Sequence, residues 1–547
     1  MKKLFLLPIL LFLFQNQISA TIIIVDQSGG GDYTTIVEGI VNSNTGDTVL
    51  VYPGTYYEIV NFYGKEITVA SLFLTTQDTS YINQTVIDGN NENYRLVRFA
   101  NGETENSILI GFTITNASYP YAEQITLIPT GLGIYINNSS PAIENNKIIN
   151  NAYNDLYFVG GGIVLVNSSA IIKNNTIQNN EGAYRGGGIY MFNSTNVTIE
   201  NNFIKSNSIN SGFGVSHGGG IYIDSSQNIM IQNNIISNNF NDFGYGGGIY
   251  IYDSENITIL KNRVSNNIVR GPGGGGIYFE FSSGIHIINN LLYNNRAGNS
   301  GGGIYSQNSG AFLVNNTFYN NKADTVSVYG KGGGLYCDES SPALYNCIFF
   351  NNWASSSGHQ VFLNSDSSDP DFYFCDVEGG AEAFGLGSGV VYNGIYENNI
   401  DAYPQFTGSG AHPFSLDNSS PCINAGKSDT AGLHIPEYDL AGNLRIVNDT
   451  IDIGAYEYQF GTYINNHSCN TELIIYPNPG NGRFTIELEA MPQNIGVEVF
   501  NSAGSKVRSF ILYKTQVSID LTGLPKGLYF IKAKNNDFIK TEKLIIY

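Results

Sequence analysis

Charge is what this sequence has least of. Only 13% of its 547 residues are Asp, Glu, Lys or Arg, about half the usual quarter, and what there is sums to −20. Beyond the N-terminus Lys and Arg never cluster, so the electrostatic footprint of a nucleic-acid binder is missing. Disorder would need high charge and few aromatics, whereas this chain has 37 Tyr and 31 Phe, which excludes a mostly disordered protein. Cysteine is scarce: Cys337, Cys347, Cys375, Cys422 and Cys469 are scattered, odd in number and without CxxC spacing. That argues against a zinc site. One or two disulfides outside the cell, or small buried apolar side chains, both fit these cysteines.

Long hydrophobic runs are also missing. The one apolar run of note, Leu4–Phe14, has 11 residues, too few to span a bilayer. With Lys2 and Lys3 before it and Ile18-Ser19-Ala20 after it, residues 1–20 read as a signal peptide. No segment reads as a transmembrane helix. Strong helix formers are few, while Ile, Val, Thr, Tyr, Phe, Asn and Gly abound, which points to an all-β chain rich in turns.

What the chain does have is a repeat. Gly-Gly-Gly followed by Ile or Leu recurs with the apolar residue at 163, 189, 221, 249, 277, 304 and 335, and Gly-Leu-Gly precedes Ile134. An Asn follows 12 or 13 residues later at Asn146, Asn175, Asn202, Asn234, Asn262, Asn290 and Asn316, with Cys347 in the eighth place. A second Asn follows after five more, from Asn151 to Asn352. Each repeat of ~29 residues holds three short runs with period 2, whose alternate side chains take one face. Three strands per coil at this period predict a parallel β-helix. Stacked Asn amides would hydrogen-bond along the axis, and Asn would tolerate left-handed turns. The glycines would allow tight turning and close backbone approach.

Both ends of the repeat carry resemblances. Gly31-Asp32-Tyr33-Thr34-Thr35-Ile36, Gly46-Asp47-Thr48-Val49, Pro53-Gly54-Thr55-Tyr56 and Glu58 resemble the opening of pectin-lyase-like right-handed β-helix proteins. This implies that a short amphipathic helix near Ile36–Asn42 caps the first coil. Tyr476-Pro477-Asn478-Pro479, Val497-Glu498-Val499-Phe500-Asn501, Leu524-Pro525-Lys526-Gly527-Leu528-Tyr529 and Lys543 closely resemble the C-terminal sorting domain of the type IX secretion system of Bacteroidota. That resemblance implies contact with the secretion machinery through residues 471–547 and delivery to the outer surface. Its short alternating strands predict a small β-sandwich. The expected organisation is a signal peptide at 1–20, an N-terminal cap and first coils at 21–120 and regular coils at 121–355. Irregular coils with a C-terminal cap follow at 356–460, then a linker at 461–470 and the sorting domain at 471–547. The fold class is thus all-β: a right-handed parallel β-helix followed by a small sandwich.

Chemistry is harder to read. The hydrolase motifs of polygalacturonase-like β-helix enzymes and the acid and arginine pattern of pectin-methylesterase-like ones are absent. Arg185 and Lys331 precede Gly triplets five coils apart, Ser216-His217-Gly218 does not match the Gly-His-Gly motif of the polygalacturonase-like enzymes, and His286, facing outward on a second strand, has no acidic partner at a predictable distance. Asp366, Asp369 and Asp371 could hold calcium; otherwise no cofactor is expected. Strand parity puts the residue after each repeat Ile or Leu on the outside. Those residues include Tyr135, Tyr190, Tyr222, Tyr250, Tyr278, Tyr305 and Tyr336, which read as a candidate aromatic track for a glycan or as sheet reinforcement. The expected role is glycan binding or adhesion at the cell surface. The alternatives are a polysaccharide lyase or hydrolase with a non-standard site on the loops before the Gly triplets, and a structural rod.

Overall fold

The computed structural model describes residues 20–459, except 93–94, 119–129, 153–158, 211–214 and 325–328. It also describes residues 473–546, except 489–494, 502–504, 513 and 535–538. The expected signal peptide, the linker and Cys469 fall outside these residues, apart from Ala20. The chain divides into two compact units, Met1–Tyr458 and Gln459–Tyr547.

The first unit is a parallel β-helix. Sheet I has 12 strands, including each run after a Gly triplet such as Ile221–Asp224 and Ile249–Tyr252. Sheet II has 14 strands, such as Gln227–Gln232, and sheet III has 12, such as Ile235–Ser237. All their pairings join neighbouring coils in parallel register, for example Ile221 with Ile249 and Ile229 with Ile257. A fourth ladder of seven two-residue strands, from Glu181–Gly182 to Trp353–Ala354, adds to the three expected strands. Ile163, Ile189, Ile221, Ile249, Ile277 and Ile304 form one fully buried inner column. The six-residue helix Ile36–Val41, capped by Thr35, packs Ile36 and Ile40 into the start of this core.

Turn chemistry keeps the coils in step. In the second Asn column, Asn239 donates from Nδ2 to Asn267 Oδ1 (2.9 Å) and to Ile204 O (2.9 Å), while its own Oδ1 accepts from Asn207 N (3.0 Å). The left-handed residue is not the laddered Asn but the one before it, such as Asn238 at φ 55° and Asn233 at φ 56°. The Asn-Asn pairs therefore divide the work: the first bends the chain, the second ties the coils. A serine ladder at the turn from sheet I to sheet II does the same, with Ser226 N donating to Ser254 Oγ (3.1 Å) and Ser254 N to Ser282 Oγ (3.1 Å). The glycines are required by space. Gly246 sits at φ 69°, and a Cβ on Gly247 would lie 2.6 Å from Gly275 O of the next coil.

After the strand Tyr396–Glu397 the helix pattern stops. Residues 398–458, expected as part of a cap, fold back along the outside of earlier coils. Leu433 packs on Ile288 and Val314, Ile453 and Leu416 on Ile348, and Tyr456 on Leu291. Buried Arg445 fastens this segment from within by donating to Asp452 O (2.9 Å) and Gly454 O (2.6 Å). Asn315 of the rod donates to the same two carbonyls. Cys337, Cys347, Cys375 and Cys422 are all buried free thiols. Cys347 continues the Asn column, where Asn316 Nδ2 points to its sulfur.

The second unit is an antiparallel sandwich of a three-stranded and a four-stranded sheet. Its own core includes Phe484, Ile486, Val497, Val499, Ile531 and Leu544.

Candidate functional site

The tyrosine column exists and faces away from the inner core, but it is not an open track. Tyr135, Tyr190, Tyr222, Tyr250, Tyr278, Tyr305 and Tyr336 are each at most 9% exposed. Two things close them. Ring stacks on ring along the rod, with centroids 5.1 Å apart for Tyr190–Tyr222, 5.0 Å for Tyr222–Tyr250, 4.7 Å for Tyr278–Tyr305 and 4.4 Å for Tyr305–Tyr336. The loops before the Gly triplets then form a wall beside the rings. Arg185, His217, Tyr245, Gly273, Ser300, Lys331 and Ser357 bridge one to the next in parallel, a rung per coil. His217 lies 5.3 Å from Tyr222 and 4.9 Å from Tyr250, and Tyr245 lies 4.8 Å from Tyr278. The ring faces that a sugar would stack on are occupied by the protein itself.

What the column offers instead is its hydroxyl edge. The next outward position on each sheet I strand is often polar, and these side chains bond the phenols. Tyr278 donates to Glu280 (2.7 Å), with Gln307 alongside. Tyr190 donates to Asp224 (3.3 Å), and Tyr305 reaches Asp338 at 3.5 Å. Burial raises the phenol pKa values, with the Asp338 carboxylate adding to the effect at Tyr336, which is pushed up to about 12. The tyrosines are therefore neutral donors at any physiological pH. Asp224, Tyr252, Glu280, Gln307 and Asp338 thus form a polar seam at ~4.8 Å per step, floored by tyrosine rings and walled by the loops.

At one end of the seam the chemistry is denser. Arg185 donates to the Tyr190 hydroxyl and lies 3.5 Å from Asp224, with its side chain 27% exposed. His217, on the adjacent rung, stacks against Tyr222 and Tyr250 and has a buried Nδ1 with no hydrogen-bond partner among the described residues. Burial, and then the Arg185 charge, push its pKa down to about 4, so the imidazole is neutral at pH 7. Sequence reasoning missed this grouping. Arg185 belongs with His217 on the next rung, and Asp224 joins them through the register of two neighbouring sheet I strands, which no spacing rule reveals. Lys331 stands five rungs along the same wall, with its ammonium 4.7 Å from the Phe362 ring. His286 lies on sheet II, away from this site.

The possible calcium ligands do not converge. Asp369 accepts the amide of Asn393 (2.7 Å) and Asp371 that of Ile395 (2.8 Å), so both carboxylates tie down the next turn, while Asp366 is exposed. Among the described residues no three His, Cys, Asp or Glu side chains are grouped to hold a metal.

A coiled stack of this kind, with a seam along one face and a separate antiparallel sandwich, defines a class: β-helix proteins carrying an export module. Residues 153–299 and 264–420 match the family of the right-handed β-helix region, and residues 474–547 match the secretion system C-terminal sorting domain. The chain is a right-handed parallel β-helix protein with a type IX secretion sorting domain, which directs it to the cell surface or the extracellular space. A search of the curated proteins finds no match. Similar solved structures include the periplasmic alginate epimerase AlgG, at 14% identity and TM-score 0.33 over 62% of this chain and 76% of that one. Another is the A-module of a mannuronan C-5 epimerase of Azotobacter vinelandii, at 15% identity and TM-score 0.33 over 68% and 94%. A third is tailspike protein 2 of a bacteriophage of Escherichia coli O157:H7, at 11% identity and TM-score 0.33 over 89% and 68%. No helix among the described residues is long and apolar enough to cross a membrane.

Proposed function

We propose that this secreted protein binds a glycan along the polar seam of sheet I. The observation that carries this reading is the seam itself: one carboxylate, carboxamide or phenol per coil from Tyr252 to Asp338, half-buried, at a regular spacing and beside a loop wall, with the buried Asp224 closing one end. A linear polysaccharide presents hydroxyls at similar regular intervals, and fixed acceptors hydrogen-bond them without reorganisation. The tyrosine column is the floor of the site and holds the seam carboxylates in place through its hydroxyls. The test is a panel of neutral and acidic polysaccharides, scored for binding and for product release. Replacing Asp224, Glu280 and Asp338 together by Asn, Gln and Asn keeps their shape and removes their charge. A bound glycan should be lost from this variant, and unchanged binding would overturn the reading.

A second reading rests on Arg185, His217, Tyr222 and Asp224. A neutral imidazole beside phenols and a guanidinium is equipped to move a proton at a sugar carbon or oxygen. A lyase or hydrolase acting at this end of the seam would release products in the same panel, and His217→Gln would stop release while leaving binding along the seam.

A further inference from the structure

The outward face of sheet II holds a feature that the seam does not touch. His286 stands there between Thr258 and Phe312, one rung away on each neighbouring coil. The returning segment brings His434 beside it, with ring centroids 5.2 Å apart and planes at 75°. The pair opens onto a cavity of about 360 Å³ lined also by Asn256, Thr258, Leu260 and Ile288. Neither imidazole hydrogen-bonds to the protein among the described residues. His434 holds a left-handed backbone, φ 52°, a conformation uncommon for a residue with a side chain.

Geometry and chemistry agree on what suits this pair. A nitrogen bound to zinc sits about 2.0–2.1 Å from the ion, and the imidazole centre lies about 1.2 Å further on. Two rings at a tetrahedral angle about one ion then have centres about 5.2 Å apart. No carboxylate lines the cavity, so calcium and magnesium, which need several oxygen ligands, do not fit. Imidazoles suit borderline divalent ions.

We propose that His286 and His434 bind a divalent transition-metal ion such as Zn²⁺. Water, with the Thr258 hydroxyl and Asn256 amide close by, would fill the remaining positions, because no third His, Cys, Asp or Glu joins the pair among the described residues. The ion would clasp the returning segment to the coils it covers, and its open positions would accept an outside ligand.

The experiment titrates the untagged full chain with ZnCl₂ by calorimetry and follows the thermal midpoint. The expected result is one saturable site per chain and a midpoint that rises with zinc but not with CaCl₂. His286→Ala and His434→Ala should each abolish both effects, and His359→Gln should leave them intact. If His286→Ala fails to fold by circular dichroism, His286→Phe keeps the ring contact with Phe312 and serves instead. Absence of saturable zinc binding by the parent, or binding that survives both histidine substitutions in folded protein, would overturn the proposal.

Discussion

Two kinds of column run the length of this rod, and they use their polar atoms in opposite ways. In the Asn columns every amide is spent internally: Asn207, Asn239, Asn267 and Asn295 are fully buried and bond coil to coil. In the tyrosine column the rings are nearly as buried, yet the hydroxyls of Tyr278 and Tyr305 bond outward, to the half-buried Glu280, Gln307 and Asp338. A closed ladder stabilises the stack and offers nothing to a ligand. A column with a polar outer edge stabilises the stack and also presents a surface. Strict repetition thus marks scaffold, and departures from it mark the places where function can sit. Position 185 and its equivalents show this: Arg, His, Tyr, Gly, Ser, Lys and Ser occupy the same position on seven successive coils.

The sharpest way to break this comparison is to cut an Asn ladder. Asn239→Ala removes the acceptor of Asn207 N and of Asn207 Nδ2, and the donor to Ile204 O. Asn207 Nδ2 keeps its second acceptor, Ile177 O, and the other two buried groups lose a partner at ~1–3 kcal/mol each, so the loss should be about 2–6 kcal/mol in chemical denaturation. A loss under about 1 kcal/mol would mean that water enters the turn and the ladder is not closed.

Next in size is removal of a ring. Tyr250→Ala takes out a side chain that is 2% exposed and stacked between Tyr222 and Tyr278. Large-to-small changes of this kind cost about 3–5 kcal/mol. An open aromatic track would tolerate the same change with under about 1 kcal/mol, so the midpoint of a urea curve separates the two pictures. The change also tests glycan binding poorly, because it perturbs the floor and the seam together.

Much of this was legible in the sequence, and the limits have physical causes. The Ile column and both Asn columns recur at one register, so their burial followed from period 2 within strands and ~29 between coils. Parity alone also placed the tyrosines outside the inner core. It could not show that they are roofed, because the roof is made by residues such as His217 and Tyr245, which precede the Gly triplets in stretches whose lengths vary and whose residues do not repeat. The Ser226, Ser254 and Ser282 ladder was readable in principle, five residues after each repeat Ile, but serine in a turn has many other uses. The preference of Asn for left-handed turns points to the laddered Asn, whereas the bend belongs to the residue before it, as at Asn238 before Asn239. The course of residues 398–458 was not readable at all, because an irregular segment carries no period. Arg185, His217 and Asp224 lie 32 and 7 residues apart in order, and only coil stacking makes them neighbours.

A titration sharpens the contrast further, since Asn ladders carry no ionisable group and the seam does. Burial and the Arg185 charge hold His217 at a pKa of about 4, against 6.5 when unfolded. A histidine depressed in the folded state contributes stability that is fully present above 6.5 and is lost as pH falls through 4. At 1.36 kcal/mol per unit, and reduced for partial exposure, the loss should be about 2–3 kcal/mol across that window. His217→Gln should flatten this part of the stability curve, and an unchanged curve would show that the imidazole is solvated.

The smallest effect is the most discriminating, because it separates ring from hydroxyl within one column. Tyr278→Phe keeps the ring and removes the bond to Glu280 at 2.7 Å. A hydrogen bond to a charged group contributes ~1.5–3 kcal/mol when well buried, but Glu280 is only half-buried, so about 1 kcal/mol is expected. Tyr250→Phe also keeps the ring, and the Tyr250 hydroxyl makes no hydrogen bond among the described residues, so its stability should change by less than about 0.5 kcal/mol. If the hydroxyl edge serves only the sheet, glycan binding follows stability and neither variant affects it much. If the edge positions the seam, Tyr278→Phe frees the Glu280 carboxylate to move and weakens binding more than its small stability loss accounts for. Tyr250→Phe supplies the baseline at one coil's distance. Equal binding by the two variants would reduce the whole column, hydroxyls included, to the role the Asn ladders already play.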